Sequence, residues 1–271
     1  MDIIDIIKYI ILGIIQGLTE PLPISSSGHL IIFKHLFNTN IFNDLNFEII
    51  IHFGSLLAIL YIFKEDIIKL VNSFIKYIQT KNEQYQSDFN YIMLLIIATI
   101  PAGIFGFFFK DMIEEFYLSN IKMIGLNLLI TSFLLFIIRQ YKGTKDDNEI
   151  KPINAFLIGL FQTIAIIPGI SRSGATITGS LLNGLKKDTA IKFTFLLYIP
   201  ISIASFILGI SDIMTNNQLT IVWLPYLLGA IASTITTYYA TKLFIKVIQK
   251  GKLIYFVYYC LIVGTLVILF I

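Results

Sequence analysis

Six stretches of this chain, residues 47–63, 90–109, 120–138, 190–210, 221–241 and 253–271, carry at most two formal charges each. At ~1.5 Å per residue each comes close to the ~30 Å hydrocarbon thickness of a bilayer. A chain of 271 residues, 56% hydrophobic and 14% charged with mean hydropathy +0.81, has more apolar side chain than one soluble core can hide. An all-α integral membrane protein with six spanning helices is therefore expected. Two further apolar regions, at the N-terminus and around 153–185, are broken in the middle by Ser, Pro and Gly. The first begins with Asp2 and Asp5 and lacks a small-x-small site before a polar chain, so it is expected to stay in the protein rather than act as a cleaved signal. A single cysteine, Cys260, excludes an intramolecular disulfide and a cysteine-based metal cluster. The basic residues are scattered over short loops instead of forming one stripe, so no nucleic-acid partner is expected.

The two broken regions are related. Shifting the chain by 146 positions (159 − 13) lays GIIQGLTEPLPISSSG over GLFQTIAIIPGISRSG. Gly13, Gln16, Ile24, Ser25, Ser27 and Gly28 then fall on Gly159, Gln162, Ile170, Ser171, Ser173 and Gly174, and further on Phe47 falls on Phe193. Apolar matches are cheap in such a chain, so the weight rests on the matched Gly, Gln and Ser. The duplication divides a single membrane domain, 1–271, into repeats of about 1–140 and 150–271. The arms 3–18 with 26–37, and 153–167 with 174–185, are too short to cross a membrane, and each pair is expected to form a re-entrant helical hairpin. A hairpin followed by three spans inverts the second half, and inverted repeats place their sites near the midplane where the repeats meet.

Fifteen of the twenty Lys and Arg fall in loops predicted on one side: Lys64, Lys69, Lys76, Lys81, Arg139, Lys142, Lys145, Lys151, Lys186, Lys187, Lys192, Lys242, Lys246, Lys250 and Lys252. That side is expected to be cytoplasmic, with both termini and the first hairpin facing outward and the second hairpin entering from the cytoplasm to meet it.

Within the apolar regions the ionisable residues reduce to Glu20, His29, Glu48, His52 and Arg172, and buried charge in a membrane is a functional candidate by default. Gln16 and Glu20, spaced i, i+4, share a helix face. Ser25, Ser26 and Ser27 open the second arm, where hydroxyls and free N–H groups favour an anion. The matching break offers Ser171, Arg172, Ser173 and Thr176, and a guanidinium fork suits phosphate oxygens. Together these describe a midplane oxyanion site, and carboxylates beside a phosphate imply a bridging divalent cation. Plainer readings stand beside this one: the serines as helix caps, Arg172 with Glu20 as a structural ion pair, and Glu48 with His52 as a hydrogen-bonded pair inside the bundle.

These residues resemble the undecaprenyl-diphosphate phosphatases, also called bacitracin-resistance proteins. The first signature of that family matches Gln16, Glu20, Pro23, Ser25, Ser26, Gly28 and His29; the second matches Pro168, Gly169, Ser171, Arg172, Ser173, Gly174 and Thr176; and FTFLLYIP (Phe193 to Pro200) matches a later stretch. The chain departs from the family at Gln16, where many members carry Glu, at His52, and at Pro21. The resemblance implies hydrolysis of undecaprenyl diphosphate to undecaprenyl phosphate and inorganic phosphate. That reaction recycles the lipid carrier for peptidoglycan synthesis, with cell shape and bacitracin resistance depending on it. Its partners are then the polyprenyl diphosphate and membrane lipids, with a homodimer as candidate assembly. In this reading Glu20, Ser26, His29 and Arg172 are catalytic: Ser26 is the nucleophile, Glu20 or His29 its base, and Arg172 the phosphoryl clamp. Gln16, Ser25, Ser27, Ser171, Ser173 and Thr176 bind substrate, and Glu20 with Glu48 holds Mg²⁺ or Ca²⁺. Attack by metal-activated water is the alternative to Ser26, and a flippase for undecaprenyl phosphate the alternative to an enzyme.

Overall fold

The computed structural model describes residues 3–37, 45–215 and 223–271. They form α1 (Ile3–Thr19), α2 (Ser26–Phe37), α3 (Leu45–Ile62), α4 (Lys64–Thr80), α5 (Gln86–Ser119), α6 (Ile121–Ile138), α7 (Pro152–Ile164), α8 (Arg172–Leu182), α9 (Lys187–Thr215), α10 (Trp223–Gln249) and α11 (Ile254–Phe270). Among the described residues no strand occurs; Lys145 and Leu185 make one isolated bridge. An all-helical chain is what a membrane demands, because each helix satisfies its own backbone polar groups.

The breaks fall where the sequence places them. α1 ends at Thr19 because Pro21 and Pro23 lack an N–H and push Glu20 and Leu22 away from helical dihedrals. α7 ends at Ile164, ahead of Pro168 and of Gly169 with its φ of 92°. Both broken regions resume on a serine: Ser25 Oγ accepts the Gly28 N–H at 3.2 Å and Ser171 Oγ accepts that of Gly174 at 3.1 Å.

The spans differ in part from expectation. Glu83–Phe109, Ile121–Ile138 and Lys187–Ser211 are long and apolar enough to cross a membrane by themselves. The remaining candidates qualify as bent pairs, α3 with α4 at 77° and α10 with α11 at 117°. The block expected at 221–241 begins outside the described residues and continues in α10 as far as Gln249. Residues 64–80, expected as a lysine-bearing loop, form α4. Its apolar residues do recur at helical period, but five charged side chains interleaved with them mask the pattern in a plain hydropathy reading.

Helices of the first half lie on helices of the second: α1 against α10, α7 against α5, and α6 against α11. Small residues allow it. A Cβ on Gly13 would run into the backbone of Gly229, and one on Gly159 into that of Ala98. Hydroxyls add cross-links between α3 and α10, where Ser55 Oγ meets Ser233 Oγ at 2.9 Å and Thr237 donates to Ser55 at 2.9 Å. At the lysine-rich end Lys192 reaches Asp147 at 2.8 Å and Asp66 at 3.3 Å, and Lys186 reaches Asp146 at 2.6 Å.

Candidate functional site

The two breaks touch. Ser173 Oγ donates to the Leu22 carbonyl at 3.1 Å, and the side chains that flank this contact converge on Glu20, whose carboxyl is 5% exposed. Ser26, on the first turn of α2, donates a hydrogen bond to Glu20 Oε2. Gln16, one turn back in α1, donates to the same oxygen at 2.9 Å and to His52 Nδ1 at 2.8 Å. His52 Nδ1 stands 3.6 Å from Glu20 Oε2, and Arg172 Nη2 stands 3.9 Å from Glu20 Oε1. The guanidinium also donates to Ser202 Oγ at 3.2 Å and lies over the Tyr198 ring at 5.1 Å. Glu20 and the Tyr198 hydroxyl face one another. Arg172 keeps a third of its side-chain surface exposed. Glu20, Arg172, Ser173, Thr176, Thr194 and Tyr198 line a cavity of about 20 Å³, which has room for roughly one water.

The sequence offset of 146 relates several residues of this cluster. Ser26 and Arg172 are counterparts (26 + 146 = 172), and so are His52 and Tyr198 (52 + 146 = 198). Both pairs surround one carboxylate. Glu20 itself has Ile166 as its counterpart, so the acid is supplied once.

His29 is buried and both ring nitrogens are engaged. Nδ1 meets the Ser25 carbonyl at 2.7 Å and Nε2 meets the Tyr259 hydroxyl at 2.7 Å. A carbonyl can only accept, so Nδ1 carries a proton, and in the neutral ring Nε2 then accepts from Tyr259. Ser25 has a φ of 68°, a left-handed conformation that a serine holds at a cost of roughly 1 kcal/mol or more, whereas Ser171 is an ordinary extended cap at −74°. His29 thus grips the strained turn that presents Ser26.

The other expected residues are placed more plainly. Ser171 and Ser173 are buried, 3.1 Å apart, and act as cap and cross-brace. Thr176 spends its hydroxyl on the carbonyls of Arg172 and Ser173. Ser27 meets Ser25 at 3.4 Å and is half-buried. Glu48 lies in α3 one turn before His52. The sequence reading missed Tyr198, Ser202 and Tyr259, and also Asn127 and Thr131 of α6, which bond the Pro168 and Gly169 carbonyls at 2.7 and 3.2 Å. Tyr198 had a signal, being the counterpart of His52 under the repeat.

Among the described residues no three His, Cys, Asp or Glu side chains gather into a protein-only metal cage. Glu20 supplies a carboxylate at the centre of the cluster, and the buried Gln16 Oε1 beside it has no hydrogen-bond partner. Such a donor set fits a cation that takes most of its oxygens from phosphate, the usual habit of Mg²⁺.

A model of the family described as bacitracin resistance protein BacA matches residues 9–266. The chain is similar to undecaprenyl-diphosphatase 1 of Bacillus licheniformis, with 46% identity over 270 residues and 100% of both chains covered. It is 48% identical over 265 residues to undecaprenyl-diphosphatase 2 of Bacillus thuringiensis, covering 98% of this chain and 97% of that one. With undecaprenyl-diphosphatase of Oceanobacillus iheyensis it shares 44% over 266 residues, covering 98% and 96%.

Proposed function

The chain belongs to the bacitracin resistance protein family, and on that premise we propose that it works as a membrane phosphatase: it hydrolyses undecaprenyl diphosphate to undecaprenyl phosphate and inorganic phosphate. The lipid carrier of cell-wall synthesis is thereby recycled and bacitracin resisted. One observation carries the mechanism: Ser26 donates its hydroxyl proton to Glu20 while Arg172 flanks the same carboxylate.

Ser26 Oγ attacks the terminal phosphorus and its proton passes to Glu20 Oε2. The bond from phosphorus to the bridging oxygen breaks, Glu20 returns the proton to the departing oxygen, undecaprenyl phosphate leaves, and a phosphoserine remains. The regenerated carboxylate then takes a proton from water, the hydroxide attacks the phosphoserine phosphorus, and the proton passes to Ser26 Oγ as inorganic phosphate is released. Arg172 stabilises the charge spread over the equatorial oxygens, and Ser202 with Tyr198 holds the guanidinium in line. Glu20, not His29, serves as base, because the ring of His29 is committed to Ser25 and Tyr259. Gln16 keeps Glu20 aimed at Ser26. Ser25, Ser27, Ser171, Ser173 and Thr176 shape the two helix N-termini that receive the diphosphate. Glu20, assisted by Gln16 Oε1 and by Glu48 from α3, would hold Mg²⁺ or Ca²⁺. When bound, such an ion neutralises diphosphate charge.

The finer architecture belongs to the same proposal: two inverted repeats of about 1–140 and 150–271, each a re-entrant hairpin with three spans, termini outward and the site open to the outer face. The swapped packing of α1 on α10 and α7 on α5 supports it, as do the counterpart pairs around Glu20. A homodimer is compatible with this arrangement.

Purified protein in detergent, where no second compartment exists, should release phosphate from undecaprenyl diphosphate and acquire label at Ser26 from a substrate labelled in its terminal phosphate. Phosphate release without phosphoserine would transfer the attack to a water. No release at all would leave only a carrier.

A further inference from the structure

We propose that α4 is a membrane-surface helix that binds the anionic phospholipid headgroups of the lysine-rich leaflet. The inference rests on the reading of α3 and α5 as membrane segments with that side cytoplasmic. α4 leaves α3 at Phe63 with a 77° bend, so a helix that follows a span along the bilayer normal turns into the plane of the surface. One side of it is fixed to the protein. Leu70 and Ser73 are buried, Ser73 Oγ donates to Asp88 at 2.7 Å, and Phe74 and Tyr77 pack on Phe89 of α5.

Next to that side runs a stripe that the protein leaves open: Ile68, Val71, Ile75 and Ile78 are 59%, 49%, 47% and 51% exposed. Steps of three, four and three residues put them on one helical face. It continues the outward-facing apolar surface of α3, where Leu57 and Tyr61 are exposed. Water does not suit four such side chains in a row, and the acyl boundary does. The ends and flank carry Lys64, Lys76 and Lys81, each over a tyrosine ring, Tyr61 at 4.7 Å, Tyr85 at 5.4 Å and Tyr77 at 5.3 Å. Tyrosine at the headgroup level with lysine reaching to phosphate is the composition of an interfacial belt and complements an anionic leaflet. The helix is also an addition to the repeat: residues 63–85 separate α3 from α5, whereas only 216–222 separate α9 from α10.

The test places a tryptophan on either face of the full-length protein. Trp223 is the sole tryptophan, so Ile75→Trp and, on the face turned away from the stripe, Lys69→Trp are made in a Trp223→Phe background and reconstituted with lipids brominated high on the acyl chain. Quenching at position 75 should exceed that at 69 several-fold. Adding phosphatidylglycerol to phosphatidylcholine vesicles should deepen it, and a Lys64→Gln, Lys76→Gln, Lys81→Gln variant should lose that increment. Equal quenching at 69 and 75, or none at 75, overturns the proposal; none at 75 together with protection from aqueous acrylamide would assign the stripe to a second copy of the chain. An increment that survives the triple variant overturns the headgroup assignment. Phosphate release by the same proteins in detergent is read in parallel, and quenching without release would leave α4 on the lipid and overturn the hydrolysis instead.

Discussion

At the residue scale the site turns on how Ser26, Gln16, His52, Arg172 and Tyr198 surround Glu20. Arg172 offers a planar fork, and its second nitrogen is already spent on Ser202. Arg172→Lys supplies charge without that fork and should lose ~10²-fold or more in kcat/KM, close to the loss of Arg172→Ala. Near wild-type turnover by the Lys variant, measured as phosphate release, would reduce Arg172 to charge balance. His29 makes a different expectation. If its work is to hold the Ser25 carbonyl, Gln at 29 can still donate across one turn, so His29→Gln should keep activity within about tenfold while His29→Ala falls by ~10²-fold. A Gln variant as inactive as the Ala variant would return the base role to the imidazole. Both comparisons need a thermal melt on the same preparations, since loss of a cap alone costs ~0.5 to 2 kcal/mol.

At the scale of elements, the two breaks were legible because their proline, glycine and serine come in clusters: Pro21 and Pro23 before Ser25, and Pro168 with Gly169 before Ser171, stop helices, whereas the lone Pro101 and Pro200 lie within α5 and α9. α4 was not, because a hydropathy window averages Ile68 with Lys69 and hides a periodic face. Nor were Asn127 and Thr131, which meet the second break from α6 across some forty residues of sequence. Tertiary partners of that kind leave no local mark. The sidedness drawn from lysine counts has its own test. Cysteine at Lys142, which is exposed, should react with a membrane-impermeant thiol reagent only after cells are opened, whereas cysteine at Lys122 should react in intact cells. The native Cys260 is fully buried and is replaced by Ala to clear the background. Labelling of both positions from outside would refute the inverted arrangement.

For the whole molecule, the interlocking of α1 with α10 and of α5 with α7 means that neither half encloses a site by itself. Chains cut within 141–144 and co-expressed should reassemble and release phosphate, because the bonds lost there are few beside the helix faces gained. Either half expressed alone should be inactive. Reassembly that failed while both halves accumulated in the membrane would show that the covalent connection, and not the helix faces, holds the halves together. The counterpart relation of Ser26 and Arg172 then has a historical reading. A half-length ancestor pairing with an inverted copy of itself would carry one residue type at both positions, two hydroxyls or two guanidiniums, but never an attacking group faced by a clamp. On the inverted-repeat proposal, joining the copies on one chain would free the two positions to specialise. The asymmetry at 26 and 172 is what such a symmetric pair could not have encoded.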